Sequence, residues 1–278
     1  MFKLVRTKLQ ESRSKIEELH RIKTNIKMRF FFISFLLVTI SQFEAKAQYN
    51  FTKTRLLYED NFKTVDPNDW ISELQVKSGS FVGMKNGRME IDIPKGATIW
   101  FSHKLKGNIL IEYEATVINE GGPNDRVSDL NCFWMATDPG NPKDIFNSPR
   151  KASGKFNDYD VLQLYYVGMG GHHNTKTRFR RYDGTGAKPL LPEHDLSDPE
   201  VLIEPNRTYT IRLVAMGKQI QFYRDDQLIY DFRDESPYTQ GWFGFRTVNN
   251  HMTVDNFKVY RIKKNEVKIY VDPKIEIK

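Results

Sequence analysis

The chain has 278 residues, 39% of them hydrophobic and 28% charged, which is the composition of a folded globular protein and excludes a disordered or collagen-like chain. A single cysteine, Cys132, excludes an intrachain disulfide framework and a cysteine-rich zinc site. The formal charge of +7 points at first to an anionic partner such as nucleic acid. Ten of the 42 basic residues but only four of the 35 acidic ones lie in residues 1–47, so the remainder is close to neutral and a nucleic-acid partner is not expected.

Residues 1–47 read as a leader. The apolar run Phe30–Ile40 follows Lys27-Met28-Arg29 and precedes Ala45-Lys46-Ala47. A basic segment, a short apolar stretch and an A-x-A site are the marks of a secretory signal peptide. The run is shorter than the roughly 20 apolar residues of a comfortable membrane span, which weighs against an uncleaved anchor. Residues 1–27 precede a complete signal, so Met28 is an alternative start. The expectation is an exported protein, periplasmic or secreted, with no membrane attachment after cleavage and one domain over residues 48–278.

From there on, short apolar or alternating runs are separated by turn signals. Strands are predicted at 55–58, 81–82, 88–93, 97–101, 109–117, 130–136, 160–167, 177–182, 209–215, 219–224, 227–232, 241–248 and 253–262. Asn86-Gly87, Lys106-Gly107, Asp138-Pro139-Gly140 and Asp183-Gly184 stand between them. No long segment after the leader has a helical period. Many short strands with this punctuation predict an all-β sandwich or barrel. Over 109–117, Ile109, Ile111, Tyr113, Ala115 and Val117 alternate with Leu110, Glu112, Glu114 and Thr116, as a half-buried strand requires.

Leu57-Tyr58-Glu59-Asp60-Asn61-Phe62, followed by Asp69-Trp70, resembles the opening strand of concanavalin-like jelly-roll domains. Val254-Asp255-Asn256-Phe257-Lys258-Val259-Tyr260 resembles their closing strand. The resemblance implies a sandwich of two antiparallel sheets; the protein is expected to be a monomer. Many such domains carry a structural calcium where these strands meet, and Glu59, Asp60 and Asp255 offer oxygen ligands for it. Surface carboxylates and an Asp-Asn turn are the competing reading.

The densest polar cluster is the hairpin 160–182. Alternation places Gln163 and Tyr165 on one face of the first strand and Tyr166 on the other. Arg178, Arg180 and Tyr182 share a face of the second strand, and Gln163 and Tyr165 are expected to stand beside them. His172, His173 and Asn174 follow glycines in the turn, so imidazoles and arginines converge on an anion site, unless the histidines are an exposed turn and the arginines a solvated face. The set fits β-elimination from a uronic-acid sugar. Arg178, Arg180, Gln163 and Asn174 would bind and neutralise the carboxylate as the C5 proton leaves. Tyr165 or Tyr182, its pKa lowered by nearby cations, and His172 or His173 would carry protons.

Gln163-Leu164-Tyr165 and Thr177–Tyr182 resemble the Gln-x-His strand and the arginine strand of β-jelly-roll polysaccharide lyases, with Tyr165 in place of the histidine. The chain is also similar to a concanavalin-like family of bacterial polysaccharide-utilisation loci. That likeness implies a lyase or a dehydratase acting on ulvan-type uronate saccharides, with no required cofactor and an anionic oligo- or polysaccharide as partner.

A second cluster, Gly241–Met252, adds Arg246 and His251 as substrate-binding candidates, against a buried side chain and a turn histidine. Trp134 is either a sugar-stacking platform or core, and Cys132 beside it reads as an inert buried thiol. No P-loop, dinucleotide fingerprint, G-x-S-x-G or H-E-x-x-H is present. A non-catalytic lectin-like domain and a glycoside hydrolase working through two carboxylates remain the alternatives.

Overall fold

The computed structural model describes residues 49–63 and 68–265. The predicted leader lies outside the described residues. The described chain is built from β1 (Phe51–Asp60), β2 (Trp70–Leu74), β3 (Phe81–Lys85), β4 (Arg88–Phe101), β5 (Leu105–Lys106), β6 (Ile109–Val117), β7 (Leu130–Thr137), β8 (Gln163–Gly170), β9 (Lys176–Asp183), β10 (Asp195–Leu196), β11 (Thr208–Met216), β12 (Gln219–Arg224), β13 (Gln227–Arg233) and β14 (Gln240–Lys264). Every pairing is antiparallel, in the order β10-β9-β8-β7-β14-β6-β11-β12-β13, with β1 and β4 also on β14 and with β2 and β3 on β4. The all-β jelly-roll architecture expected from the sequence is what the chain adopts. Among the described residues, no helix is long and apolar enough to cross a membrane.

Two strands are longer than the sequence pattern suggests. The predicted pairs 88–93 with 97–101, and 241–248 with 253–262, are single continuous strands, β4 and β14. The first half of β14 pairs with β7, the second half with β6 and β1, so one strand serves both layers. The change of partner follows a bulge between Val248 and Asn250, where Asn249 takes a positive φ of 43°. A bulge bends and twists a strand, as a corner between sheets needs.

The core lies between the layers. Ile91, Ile93, Ile99, Ile111, Tyr113, Phe243, Phe245 and Val259 fill it, all buried. Each of these side chains gives about 1.5–3 kcal/mol on leaving water. The β7–β8–β9 sheet is covered on its other face too. The long connection between β7 and β8 folds back over it and buries Ile145 and Tyr159 against Trp100, Phe133, Leu164 and Tyr182. The connection is fastened by Arg150, whose guanidinium grips both oxygens of Glu73 at 3.0 and 2.5 Å, and by the Tyr159 hydroxyl, 2.7 Å from the same carboxylate. Arg246 adds a third tie, donating to the Gly154 carbonyl at 2.7 Å. Where this cover stops, a pocket opens.

Candidate functional site

The pocket, about 540 Å³, is lined by residues of β7, β8, β9 and β14 and of four loops. Asn131, Tyr166, Gly168 and Tyr182 form part of the lining, with Arg178, Arg180 and Lys188 supplying cations, Phe156 at the edge of the cover and His172 in the turn between β8 and β9. Asp129, Phe156 and Lys188, which the sequence does not single out, sit in loops with no periodic pattern to mark them. The phenylalanine and the lysine carry no signal at the sequence level. Asn131 was legible as the polar member of the apolar run 130–136.

The register of the hairpin decides which tyrosine belongs to the site. Leu164 lies opposite Tyr182, Tyr166 opposite Arg180 and Gly168 opposite Arg178. Directly opposed residues point to the same face. The partner of the arginines is therefore Tyr166, and the expected grouping of Gln163 and Tyr165 with Arg178, Arg180 and Tyr182 is corrected by one residue. Tyr165 is fully buried in the core, its hydroxyl 2.6 Å from Asp234 Oδ2. Gln163, on the same side as Tyr165, is outside the lining and reaches the Asp183 carbonyl at 3.4 Å.

Other expected members are also elsewhere. Asn174 is a bracket for the 203 backbone, exchanging two hydrogen bonds of 2.8 Å with the N–H and C=O of Ile203. His173 is exposed outside the lining. Trp134 is core, packed 5.5 Å from Tyr165, so it is no stacking platform. Arg246 is 1% exposed and lies behind the pocket wall, its guanidinium 5.3 Å from the Phe156 ring. His251 belongs to a separate cluster with Asp125 and Glu90. Glu59 pairs with Lys258 at 3.3 Å, while Asp60 accepts from the Phe62 N–H and the Trp70 indole and Asp255 from the Asn256 N–H. Among the described residues, these three carboxylates do not gather as a ligand set.

The pocket's charge is uneven. Arg178 is held by Asp195 at 2.8 and 3.2 Å, and Lys188 by Asp160 at 2.8 Å. Arg180 forms no ion pair among the described residues and donates to the Lys188 carbonyl. The one carboxylate in the lining, Asp129, is engaged by Arg126, Ser128 and Asn131. Arg178 Nη1 lies against His172 Nε2, and since a guanidinium only donates, Nε2 is the acceptor in this contact. The turn that presents His172 is left-handed, with φ of 53°, 59° and 59° at His172, His173 and Asn174. Three consecutive side chains in this region cost about 1–2 kcal/mol each. The Asn174 bracket to Ile203 holds the turn there.

The sequence predicted tyrosines with lowered pKa values. The reverse holds: burial raises both Tyr166 and Tyr182, and for Tyr182 the nearby Asp160 carboxylate adds to the rise against the weaker pull of Arg180. Both are neutral hydroxyls and proton donors at neutral pH. Among the described residues, the Tyr182 Oη has no hydrogen-bond partner, and neither do Asn131 Oδ1 or Arg246 Nη2.

The fold and the pocket together define a jelly-roll β-sandwich with a cationic, tyrosine-lined cavity. The chain belongs to the family described as "Domain of unknown function (DUF6250)", whose model matches residues 91–257 and so spans the whole pocket. No curated protein matches the chain. Among solved structures it is similar to a Bacillus subtilis protein of unknown function with a galectin-like fold, at 15% identity over 77% of this chain and 100% of that one, TM-score 0.61. It is also similar to LamA from Z. galactanivorans in complex with laminaritriose and laminaritetraose, at 12% identity over 75% of this chain and 100% of that one, TM-score 0.52. A laminarinase catalytic domain from Thermotoga maritima aligns at 14% identity over 77% of this chain and 100% of that one, TM-score 0.51. These likenesses describe the fold.

Proposed function

We propose that the protein is a carbohydrate-active carbon–oxygen lyase that β-eliminates an anionic, uronate-containing oligo- or polysaccharide, ulvan-type included, as a polysaccharide lyase or an oligosaccharide dehydratase. The observation that carries this reading is the pairing of an unbridged cation, Arg180, with the His172 imidazole and two neutral tyrosines in a pocket whose single carboxylate is already engaged. The sandwich it shares with carbohydrate-acting proteins is consistent with it. Hydrolysis through two carboxylates about 5–10 Å apart finds only Asp129 in the lining.

In the reaction, the sugar carboxylate takes the side of Arg180 and the Arg178 Nη1, which stabilises the charge that grows on the carboxylate as C5 loses its proton. Moving Arg178 Nη1 to the substrate frees His172 Nε2 to accept that proton. The electron pair forms the C4–C5 double bond and the C4–O bond breaks. Tyr182, with Tyr166 beside it at 5.9 Å between ring centres, donates its hydroxyl proton to the departing oxygen once sugar binding uncovers its buried Oη. If that oxygen bears a sugar the protein is a lyase; if it bears hydrogen, water leaves and it is a dehydratase. Export by the predicted leader would bring the protein to such substrates outside the cytoplasm.

A binding protein without turnover is the second reading, favoured by one observation: Tyr182 Oη is sealed from solvent. Incubation with uronate oligosaccharides decides between them. A lyase generates the near-ultraviolet absorbance of the unsaturated product, lost in Tyr182→Phe and His172→Ala. A lectin gives saturable binding with no absorbance.

A further inference from the structure

A second polar cluster lies on the same face of β4 and β14 as Arg246 and Val248, away from the pocket. On β4, Glu90 and Asp92 alternate with Met89, Ile91 and Ile93, which point into the core. On β14, His251 sits directly opposite Asp92. One oxygen each of Glu90 and Asp92 and a ring nitrogen of His251 lie within 4.8 Å of one another.

What surrounds the imidazole gives it a direction. His251 Nδ1 lies 2.8 Å from Asp125 Oδ1. The same carboxylate accepts the N–H groups of Glu120 and Gly122, at 2.5 and 3.0 Å. Asp125 is thus a fixed acceptor, and Nδ1 carries the proton. Nε2 then faces Glu90 Oε1 at 3.3 Å. Between that nitrogen and the anionic oxygen a positive partner belongs, either a proton on Nε2 or a cation in its place. A carboxylate behind an imidazole whose other nitrogen faces further carboxylates is the arrangement that orients metal-bound histidines. Asp92 is oriented as well, by Asn124 Nδ2 at 2.8 Å from one oxygen.

We propose that Glu90, Asp92 and His251 bind a divalent cation of the zinc class, with Asp125 and Asn124 as the residues that orient the ligands. One imidazole and two carboxylates suit such a cation, with a fourth position left for water. Calcium asks for six to eight oxygens, which these residues do not offer. The Lys85 ammonium, 2.7 Å from Glu90 Oε1, is the competitor; its side chain is more than half exposed and can turn to solvent when the cation enters.

The site reaches the pocket through one short segment. Asn124 and Asp125 hold the cluster, Arg126 donates to the Asn249 carbonyl at 2.8 Å and pairs with Asp129, and Asp129 lines the pocket. A cation fixed by the first two residues steadies a wall formed by the last.

The test is titration of the purified, tag-free protein with zinc chloride by calorimetry, after dialysis against chelator, with amide exchange of residues 119–129 followed in parallel. The expected result is saturable one-to-one binding, with slower exchange in that segment. Binding is lost in His251→Gln and Glu90→Gln. It weakens about 10–100-fold in Asp125→Asn, persists when His172 and His173 are both replaced by alanine, and is kept or strengthened in Lys85→Ala. Absence of saturable zinc binding in the unaltered protein, or binding that survives His251→Gln, overturns the proposal. Neither outcome depends on turnover of a sugar.

Discussion

The Tyr165 hydroxyl and the Asp234 carboxylate form a 2.6 Å hydrogen bond at the edge of the core, and Arg181 Nε meets the same carboxylate oxygen at 2.7 Å. A tyrosine one residue away, Tyr166, lines the pocket on the opposite face of the same strand. Adjacent tyrosines thus have different duties, and substitutions separate them. Tyr165→Phe removes a hydrogen bond to a charged group and should lower stability by about 1.5–3 kcal/mol, read from urea unfolding, while turnover per folded molecule stays unchanged. Tyr182→Phe should leave the urea midpoint near that of the parent and lower turnover.

Acid should loosen this corner. Burial acts to raise the Asp234 pKa, but the bonds from Tyr165 and Arg181 and the Ser236 N–H outweigh it, so the folded value lies below the ordinary one. A group depressed on folding stabilises the protein above its unfolded pKa, about 3.9 for aspartate. That contribution is lost as pH falls through the folded pKa. Unfolding free energy should therefore drop more steeply between about pH 5 and 3 in the parent than in Asp234→Asn, as measured by denaturant titration at each pH.

The Glu73–Arg150 pair fastens the cover over the sheet, with side chains 5% and 1% exposed. Breaking a buried pair strands the other charge and costs about 3–5 kcal/mol. Arg150→Met should show this in urea unfolding and should speed amide exchange across residues 138–162. The double change Glu73→Met with Arg150→Met should recover much of the loss, since no charge is then left buried without its partner.

Gly168 gives a test at the pocket itself. A methyl group there would lie 2.3 Å from Tyr166 Oη, and the tyrosine, being the flexible partner, must yield. Gly168→Ala should displace that hydroxyl and weaken binding of uronate oligosaccharides in calorimetry, with little change in the thermal midpoint.

These contrasts show where sequence reading reaches its limit. Alternation in 160–167 and 177–182 separates each strand into two faces, and the turn signals place the hairpin, so the sandwich and the arginine-rich surface were legible. Which face of β8 meets Arg178 and Arg180 depends on the register across the turn, and a shift of one residue exchanges Tyr165 for Tyr166. The depth of burial that raises the tyrosine pKa values comes from the cover between β7 and β8, whose residues have no period to read. Asn174 and Trp134 have the right chemistry for a site, but their partners, Ile203 and Tyr165, are set only by the tertiary fold.

The most direct measurement is a time course of near-ultraviolet absorbance for the purified protein with uronate oligosaccharides, ulvan-derived ones among them, beside His172→Ala and Tyr182→Phe. The parent protein should show a rise in absorbance from a new C4–C5 double bond, lowered by about 10²–10⁴-fold when either proton-transfer group is removed. Saturable binding of the same saccharides without any absorbance change would contradict it and leave a lectin.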